Sequence, residues 1–237
     1  MDVSGPSWRA DYLFGVRWSA CPSTGRAEPP YNPSVEDGTR SDDYAARLQR
    51  REEARWKRWL NVQAPYRWNL RRLNLGFTLD AGCGIGRNLA ALDGVGVDHN
   101  AAAIAVARER GFTAYTPEEF AATEFAAAGR FDTLLLAHVV EHMPADEAGA
   151  LLGRYLPYLR HGGRVVLIAP QEAGFRSDDT HVEFVDDVAL RALLEAHGLD
   201  VFREYSFPFF RGVGRFLRYN EFVSVGLYRK GGTRSEQ

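Results

Sequence analysis

Cysteine is scarce: Cys21 and Cys83 are the only two in 237 residues, and neither sits in a CxxC pair or at a zinc-ligand spacing from the other. A disulfide framework is excluded, and a reducing compartment fits. Lysine is as rare, with Lys57 and Lys230 alone among 29 Lys plus Arg, a codon bias that carries no functional information. Neither sign of charge dominates, because 31 Asp plus Glu leave a net charge of −2. There is no global pull toward nucleic acid or an anionic membrane, and any such binding has to be local. Long apolar runs are also missing. The longest near the middle, Leu134 to Val140, is far short of a membrane span, and Met1 to Ala10 has no basic stretch followed by an apolar one. The expectation is a soluble, cytoplasmic protein with no membrane partner. A hydrophobic content of 45% supports one sizeable core with an extension rather than two generous domains.

Residues 1–40 carry Pro6, Pro22, Pro29, Pro30 and Pro33 with Gly5, Gly15, Gly25 and Gly38, too many turn formers for long helices or paired strands. Trp8, Tyr12, Phe14, Trp18 and Tyr31 make this an irregular extension that lies on the domain surface or over a cleft. Residues 41–74 read as helices forming a lid or cap. Ser41 is an N-cap followed by Asp42 and Asp43, the run to about Leu60 is uninterrupted, and Pro65 restarts a helix to about Leu73. Between Tyr44 and Arg72, nine basic residues face only Glu52 and Glu53, interleaved with Trp56, Trp59, Tyr66 and Trp68. Such a face could meet RNA, but a solvated helix surface with its tryptophans turned inward accounts for it first.

From residue 75 to 230 short apolar runs alternate with helical stretches. Strands are expected at Phe77 to Ala81, Gly94 to Val97, Thr113 to Tyr115, Asp132 to Ala137, Arg164 to Ala169, Val201 to Ser206 and Phe222 to Tyr228. Helices are expected at Arg87 to Leu92, Ala101 to Arg110, Asp146 to Leu159 and Asp186 to Ala196. The fold class is α/β, a Rossmann-like doubly wound seven-stranded sheet, mostly parallel. Its last two strands lack a crossover helix and are expected as an antiparallel terminal hairpin, followed by a disordered tail at 231–237.

The segment Leu79-Asp80-Ala81-Gly82-Cys83-Gly84-Ile85-Gly86-Arg87-Asn88 puts a glycine-rich turn after the first strand and before the first helix. Its spacing is GxGxG with an acid two residues ahead, whereas the dinucleotide fingerprint is GxGxxG without one. That acid would repel a pyrophosphate and suits an ammonium group. Asp98 ends the second strand in Val95-Gly96-Val97-Asp98-His99, where a carboxylate can accept both hydroxyls of a ribose. The pair describes a ligand with an amino acid at one end and a ribose at the other.

With these residues the chain resembles the class I S-adenosylmethionine-dependent methyltransferases, from about Leu75 to Tyr228. DAGCGIGRNL matches that family's first motif and GVDHN its second. The resemblance implies S-adenosylmethionine as cofactor and S-adenosylhomocysteine as product. It implies Asp80, Gly82, Gly84 and Gly86 around the methionine part, Asp98 on the ribose and His99 beside the adenine. At the third motif position, Thr116 stands where the family has an acid, leaving Glu118 as the carboxylate on the adenine side.

After the fourth strand comes His138-Val139-Val140-Glu141-His142. If the chain turns into a helix at Ala137, then His138, Glu141 and His142 share one face at the sheet edge where the ligand lies, with His138 against the cofactor. The pattern resembles the HVxEH signature of small-molecule methyltransferases, including the quinone O-methyltransferase type. The (Asp/Asn)-Pro-Pro-aromatic sequence of amide and adenine methylation is absent, so a hydroxyl acceptor is expected. Ser177 to Phe184 resembles the loop that closes over the acceptor. A hydroxyl must lose its proton, and His142 is the first candidate for the base and His181 the second, with Glu141 beside them in the catalytic set. Glu141, Asp178, Asp179, His181 and Glu183 could hold a divalent ion, Mg2+ or Mn2+ where carboxylates dominate. The aromatic and arginine-rich stretch Tyr205 to Glu221 suits a sugar or glycan acceptor, and equally a phenol. A homodimer is compatible with the sequence. The rival from another class is a zinc metallopeptidase, because HVVEH also fits HxxEH. A cofactor-binding module without turnover is a further alternative, and a nicotinamide oxidoreductase is disfavoured by the glycine spacing.

Overall fold

A computed structural model describes residues 64–229. The irregular extension 1–40, the helix expected from Ser41, most of the basic-aromatic segment and the tail 231–237 lie outside the described residues. Helix α1 (Ala64–Arg72) is followed by β1 (Phe77–Ala81), β2 (Asp93–Val97), α2 (Ala101–Glu109), β3 (Ala114–Tyr115), α3 (Pro117–Ala121) and β4 (Phe131–Ala137). Then come α4 (Ala145–Tyr155), β5 (Leu159–Pro170), α5 (Glu172–Phe175), α6 (Asp187–Ala196), β6 (Leu199–Phe207) and β7 (Glu221–Tyr228). The seven strands form one sheet in the order β3-β2-β1-β4-β5-β7-β6. Strands β1 to β5 pair in parallel, and β7 runs antiparallel between β5 and β6, as the missing crossover helix implies.

Alternation along the strands builds a core on each face. Leu134, Leu136, Val165 and Leu167 point to one side, against Leu152 of α4 and Leu190, Leu193 and Leu194 of α6. Leu135, Ala137, Val166 and Ile168 point to the other, where Leu70 of α1 with Leu73 and Leu75 covers them. With both faces covered, the central strands are nearly continuous apolar runs, as a buried parallel sheet requires. Helix α1 inserts Leu70 and Asn69 but leaves Trp68 54% exposed. That tryptophan does not turn inward; it stacks on Phe207 and lies under the Arg72 guanidinium.

Two expected helices differ. Between β1 and β2 there are turns and a short 3-10 segment, Leu89–Ala91, instead of an α-helix from Arg87 to Leu92, because the connection is consumed in returning the chain to the parallel strand. Helix α4 ends at Tyr155, since Pro157 cannot continue it, and a 3-10 turn carries the chain into β5, which begins five residues before the expected Arg164. The short α3 and α5 were not expected. Helix α3 is specified by a capping box in which the Thr116 side chain accepts from Glu119 N and the Glu119 side chain accepts from Thr116 N. No helix of the described residues is long and apolar enough to cross a membrane.

The close approach of β1 and β2 depends on glycine: a Cβ at Gly94 would lie 2.1 Å from the Thr78 carbonyl oxygen. Gly94→Ala is expected to destabilise the fold by about 2–3 kcal/mol, roughly 5–10 °C in Tm. Gly153, exposed on α4 with no foreign atom closer than 3.8 Å, serves as the control, and its change to Ala should be neutral or stabilise by up to about 1 kcal/mol. Thermal unfolding of both variants checks the pair.

Candidate active site

The carboxyl ends of β1, β2 and β4 open into a cavity of about 370 Å³. Gly82, Val97, Asp98 and His99 form one wall, and His138, Val139, His142 and Met143 another. Pro117 of α3 and the face Glu147, Ala150, Leu151 and Arg154 of α4, with Tyr155, complete it. This is the topological switch point of the sheet, where strand order reverses between β1 and β4 and the flanking connections diverge.

The glycine-rich turn is shaped but is not an anion cradle. Gly82, Gly84 and Gly86 all have positive φ, and a Cβ on Gly82 would lie 2.4 Å from the Val139 side chain. Four of its amides are already engaged. Gly82 N and Cys83 N donate to the Val97 carbonyl, Gly84 N to Asp98 Oδ2 at 2.8 Å, and Gly86 N to the Cys83 carbonyl. With these four amides engaged and no α-helix following, this turn does not present a pyrophosphate with a helix N-terminus. Gly84 and Gly86 shape the turn without lining the cavity.

Asp98 lines the cavity and holds the turn in place. Each oxygen accepts one backbone amide, Oδ2 from Gly84 and Oδ1 from Asn100 at 2.9 Å, which leaves each with further acceptor capacity. His99 is half-exposed at the cavity wall, its Nδ1 3.7 Å from Asp98 Oδ1. Asp80 is fully buried just behind. Its Oδ1 accepts from Asn88 Nδ2 at 3.1 Å, Asn88 Oδ1 accepts from the Tyr66 hydroxyl, and its Oδ2 has no partner. Burial pushes the Asp80 carboxyl up to about 7, Asn88 opposing and Asp98 reinforcing the rise.

Beyond β4 the expected helix is absent. His138 has φ +59, a left-handed conformation uncommon for a side-chain-bearing residue, and Val140–His142 is a 3-10 turn. The sharp turn swings His138 between two carboxylates, its Nε2 2.8 Å from Glu221 Oε1 of β7 and its Nδ1 3.3 Å from Glu141 Oε1. Burial alone would lower the His138 pKa, but Glu221 and Glu141 outweigh it and raise it to about 10. Burial would conversely raise the Glu141 carboxyl, and the His138 cation holds it low. Two carboxylates around one imidazolium leave this cluster with one net negative charge. An HxxEH peptidase needs its histidines one helical turn apart with free nitrogens. Here there is no helix and both His138 nitrogens face carboxylates, so that reading fails.

His142 lines the cavity, and its Nδ1 donates to the Thr180 carbonyl at 3.0 Å, which leaves Nε2 as the lone-pair nitrogen of the neutral ring. His181 is fixed in the same manner by the Phe175 carbonyl at 2.7 Å, and burial lowers its pKa. The two rings meet edge to face with centroids 4.8 Å apart. Glu141, His142 and His181 offer ligand atoms that all lie within 4.8 Å of one another. The expected ligands Asp178 and Asp179 do not join them. Asp178 accepts from the Thr180 amide and hydroxyl, and Asp179 is exposed. Glu183 is half-buried outside the cluster, and Glu118 sits exposed on the first turn of α3, beyond the cavity lining.

Sequence reasoning put Glu221 in an acceptor-side stretch but missed its pairing with His138, and it missed the roles of Tyr66, Asn88 and the α4 face. The spacing of Glu147, Ala150, Leu151 and Arg154, at i, i+3, i+4 and i+7, was a legible signal for one helical face. Nothing local marked the partner of Glu221, which reaches His138 across 83 positions of chain.

A family of methyltransferase domains matches residues 48–204, and the chain belongs to that family. No curated protein matches it significantly in sequence. Among solved structures it is similar to a magnesium protoporphyrin IX methyltransferase from Synechocystis PCC 6803 with bound SAH. That likeness has a TM-score of 0.55 and 19% identity and covers 82% of this chain and 98% of the other. A 1,6-didemethyltoxoflavin-N1-methyltransferase from Burkholderia thailandensis is similar at TM-score 0.56 and 18% identity, covering 86% and 93%. A SAM dependent methyltransferase from Archaeoglobus fulgidus is similar at TM-score 0.51 and 20% identity, covering 69% and 93%. Family and fold together place the chain among the class I S-adenosylmethionine-dependent methyltransferases.

A buried carboxyl raised to about 7 against about 4 in the unfolded chain makes folding less favourable as pH rises from about 4 to about 7, because the native state there holds the extra proton. Asp80→Asn should remove that slope. Urea unfolding is expected to show the variant gaining on the parent by about 1 kcal/mol or more between pH 5 and pH 8.

Proposed function

We propose that this protein transfers a methyl group from S-adenosylmethionine to a hydroxyl of a small molecule, a sugar or glycan in preference to a phenol. The observation that carries the reading is His142, whose Nδ1 is tied to the Thr180 carbonyl while the ring lines the cavity, so that Nε2 is the acceptor. Asp98 has acceptor capacity for two ribose hydroxyls, His99 flanks the adenine side, and the unpaired Oδ2 of Asp80 suits the ammonium group. Bound there, the cofactor supplies an electrophilic methyl group on a sulfonium. The net negative His138, Glu141 and Glu221 cluster favours a cation at this end of the cavity. With an acceptor oxygen in line with the methyl carbon, the carbon–sulfur bond would break as the oxygen–carbon bond forms, S-adenosylhomocysteine would leave, and His142 Nε2 would take the hydroxyl proton.

For the acceptor, the support is the connection from β6 to β7. It ends at Glu221, which bonds His138, so it lies on the His138 side of the site. Phe209, Phe210, Phe216 and Tyr219 are exposed along it, with Arg218 over the Tyr219 ring. Exposed aromatic faces with polar partners suit the C–H faces and hydroxyls of sugar rings. The Burkholderia neighbour is a methyltransferase crystallised with a small-molecule substrate, in keeping with an acceptor of that size.

Calorimetric titration with S-adenosylhomocysteine should give one site. Asp98→Ala should weaken it about 10- to 100-fold, the loss of charge-assisted hydrogen bonds. An ammonium ligand prefers ionised Asp80, so affinity should rise with pH up to about 7 and then level, and Asp80→Asn should flatten the rise. With an acceptor found by screening sugars and phenols, His142→Ala should lose about 10²- to 10⁴-fold in kcat while keeping S-adenosylhomocysteine affinity. Full turnover in that variant at every pH would remove His142 as the base.

A further inference from the structure

We infer that Glu141, His142 and His181 form a binding site for a divalent transition ion of the Zn2+ and Co2+ type. The inference deepens the hydroxyl-methylation reading and rests on it for the ion's role, whereas binding of the ion does not depend on it.

Three independent features converge. The first is proximity: one ligand atom from each side chain lies within 4.8 Å of the others, on two segments that are sewn together. Val182 N and Glu183 N both donate to the Glu141 carbonyl, at 2.8 and 3.3 Å, which seats the loop carrying His181 against the turn carrying the other two ligands. The second is an unmet need. Glu141 is fully buried, with the His138 Nδ1 3.3 Å from Oε1 and no partner on Oε2. His138 is shared with Glu221 and serves Oε1 alone, so Oε2 stays a buried carboxylate oxygen without a donor, which is costly and which a bound cation would relieve. The third is orientation. Both imidazoles donate Nδ1–H to a backbone carbonyl, the outer partner that metal-ligating histidines typically have, and both therefore present Nε2.

The donor set selects the ion. Two imidazole nitrogens and one carboxylate suit Zn2+, Co2+ or Fe2+, whereas Mg2+ takes oxygen ligands and keeps its waters. The aspartates that would have favoured Mg2+ are elsewhere, Asp178 holding Thr180 and Asp179 in solvent. Ligands about 2.1 Å from one ion lie roughly 3–3.4 Å from each other, so the most widely separated pair closes by roughly 1.5 Å on binding. Three protein ligands leave a coordination position open, and His142 lines the cavity, so that position faces the acceptor. An acceptor hydroxyl bound there releases its proton to solvent as the ion stabilises the alkoxide, and His142 then serves as ligand; in the ion-free site His142 takes the proton itself.

The test is titration of the metal-stripped full chain with Co2+, Zn2+ and Mg2+, followed by calorimetry and by the visible absorption of bound Co2+. One Co2+ or Zn2+ per chain at micromolar affinity or tighter, with Mg2+ at least 100-fold weaker, is the expected result. Glu141→Gln and His181→Ala should each weaken Co2+ at least 100-fold and change or abolish its absorption, with folding checked by thermal unfolding. His181→Ala, on the loop, keeps the test decisive if the buried Glu141 variant fails to fold. Absence of Co2+ and Zn2+ binding, unchanged binding in His181→Ala, or equal affinity for Mg2+ would each overturn the site. S-adenosylhomocysteine titrated in parallel separates the two readings. Its binding without Co2+ binding leaves the methyltransferase and removes the ion, and Co2+ binding without it does the reverse.

Discussion

The carboxylate of Asp98 is the constraint on which the cavity wall at the ends of β1 and β2 depends. Its two oxygens take the amides of Gly84 and Asn100, and through them it fixes a loop on either side. One is the glycine-rich turn over the end of β2. The other leads into α2, whose N-terminus is capped by the Asn100 side chain accepting from Ala103 N. A group that organises two loops while keeping acceptor capacity toward a cavity is preorganised for hydroxyls, because no protein dipole has to turn when the ligand arrives.

Electrostatics then separate this pocket from the dinucleotide sites built on related sheets. Asp80, Asp98 and the His138 cluster put carboxylates where a pyrophosphate-binding site puts amides and a helix N-terminus. Four amides of the turn are spent on Val97, Asp98 and Cys83. Such a surface is complementary to a cationic group and repulsive to a phosphate. The strained backbone at His138 belongs to the same arrangement, since only that turn brings the imidazole between Glu141 and Glu221.

Much of the fold was legible because its signals are local. Apolar runs with turn residues between them marked all seven strands, and the missing crossover helix after β6 marked the antiparallel β7. The boundaries that failed did so for identifiable reasons. Pro157 ended α4 early, and the β1 to β2 connection was too short of helical turns to make the helix its sequence suggested. The α3 capping box was readable in Thr116 and Glu119 but competed with a reading of the same stretch as the third cofactor motif, with Glu118 on the adenine side.

The site divides along the same line. Asp80, Asp98 and the glycine turn were set by the sequence alone, because each lies at the end of a strand and strand ends in a parallel sheet share one edge. The ion-type cluster and the His138 clamp were decided only by tertiary structure. His142 is oriented by a carbonyl 38 residues away and His138 by a carboxylate 83 residues away, across a sheet whose strand order differs from chain order. No local pattern encodes such pairings; they follow from the packing of β7 beside β5 and from the loop after β5 folding back onto the turn after β4.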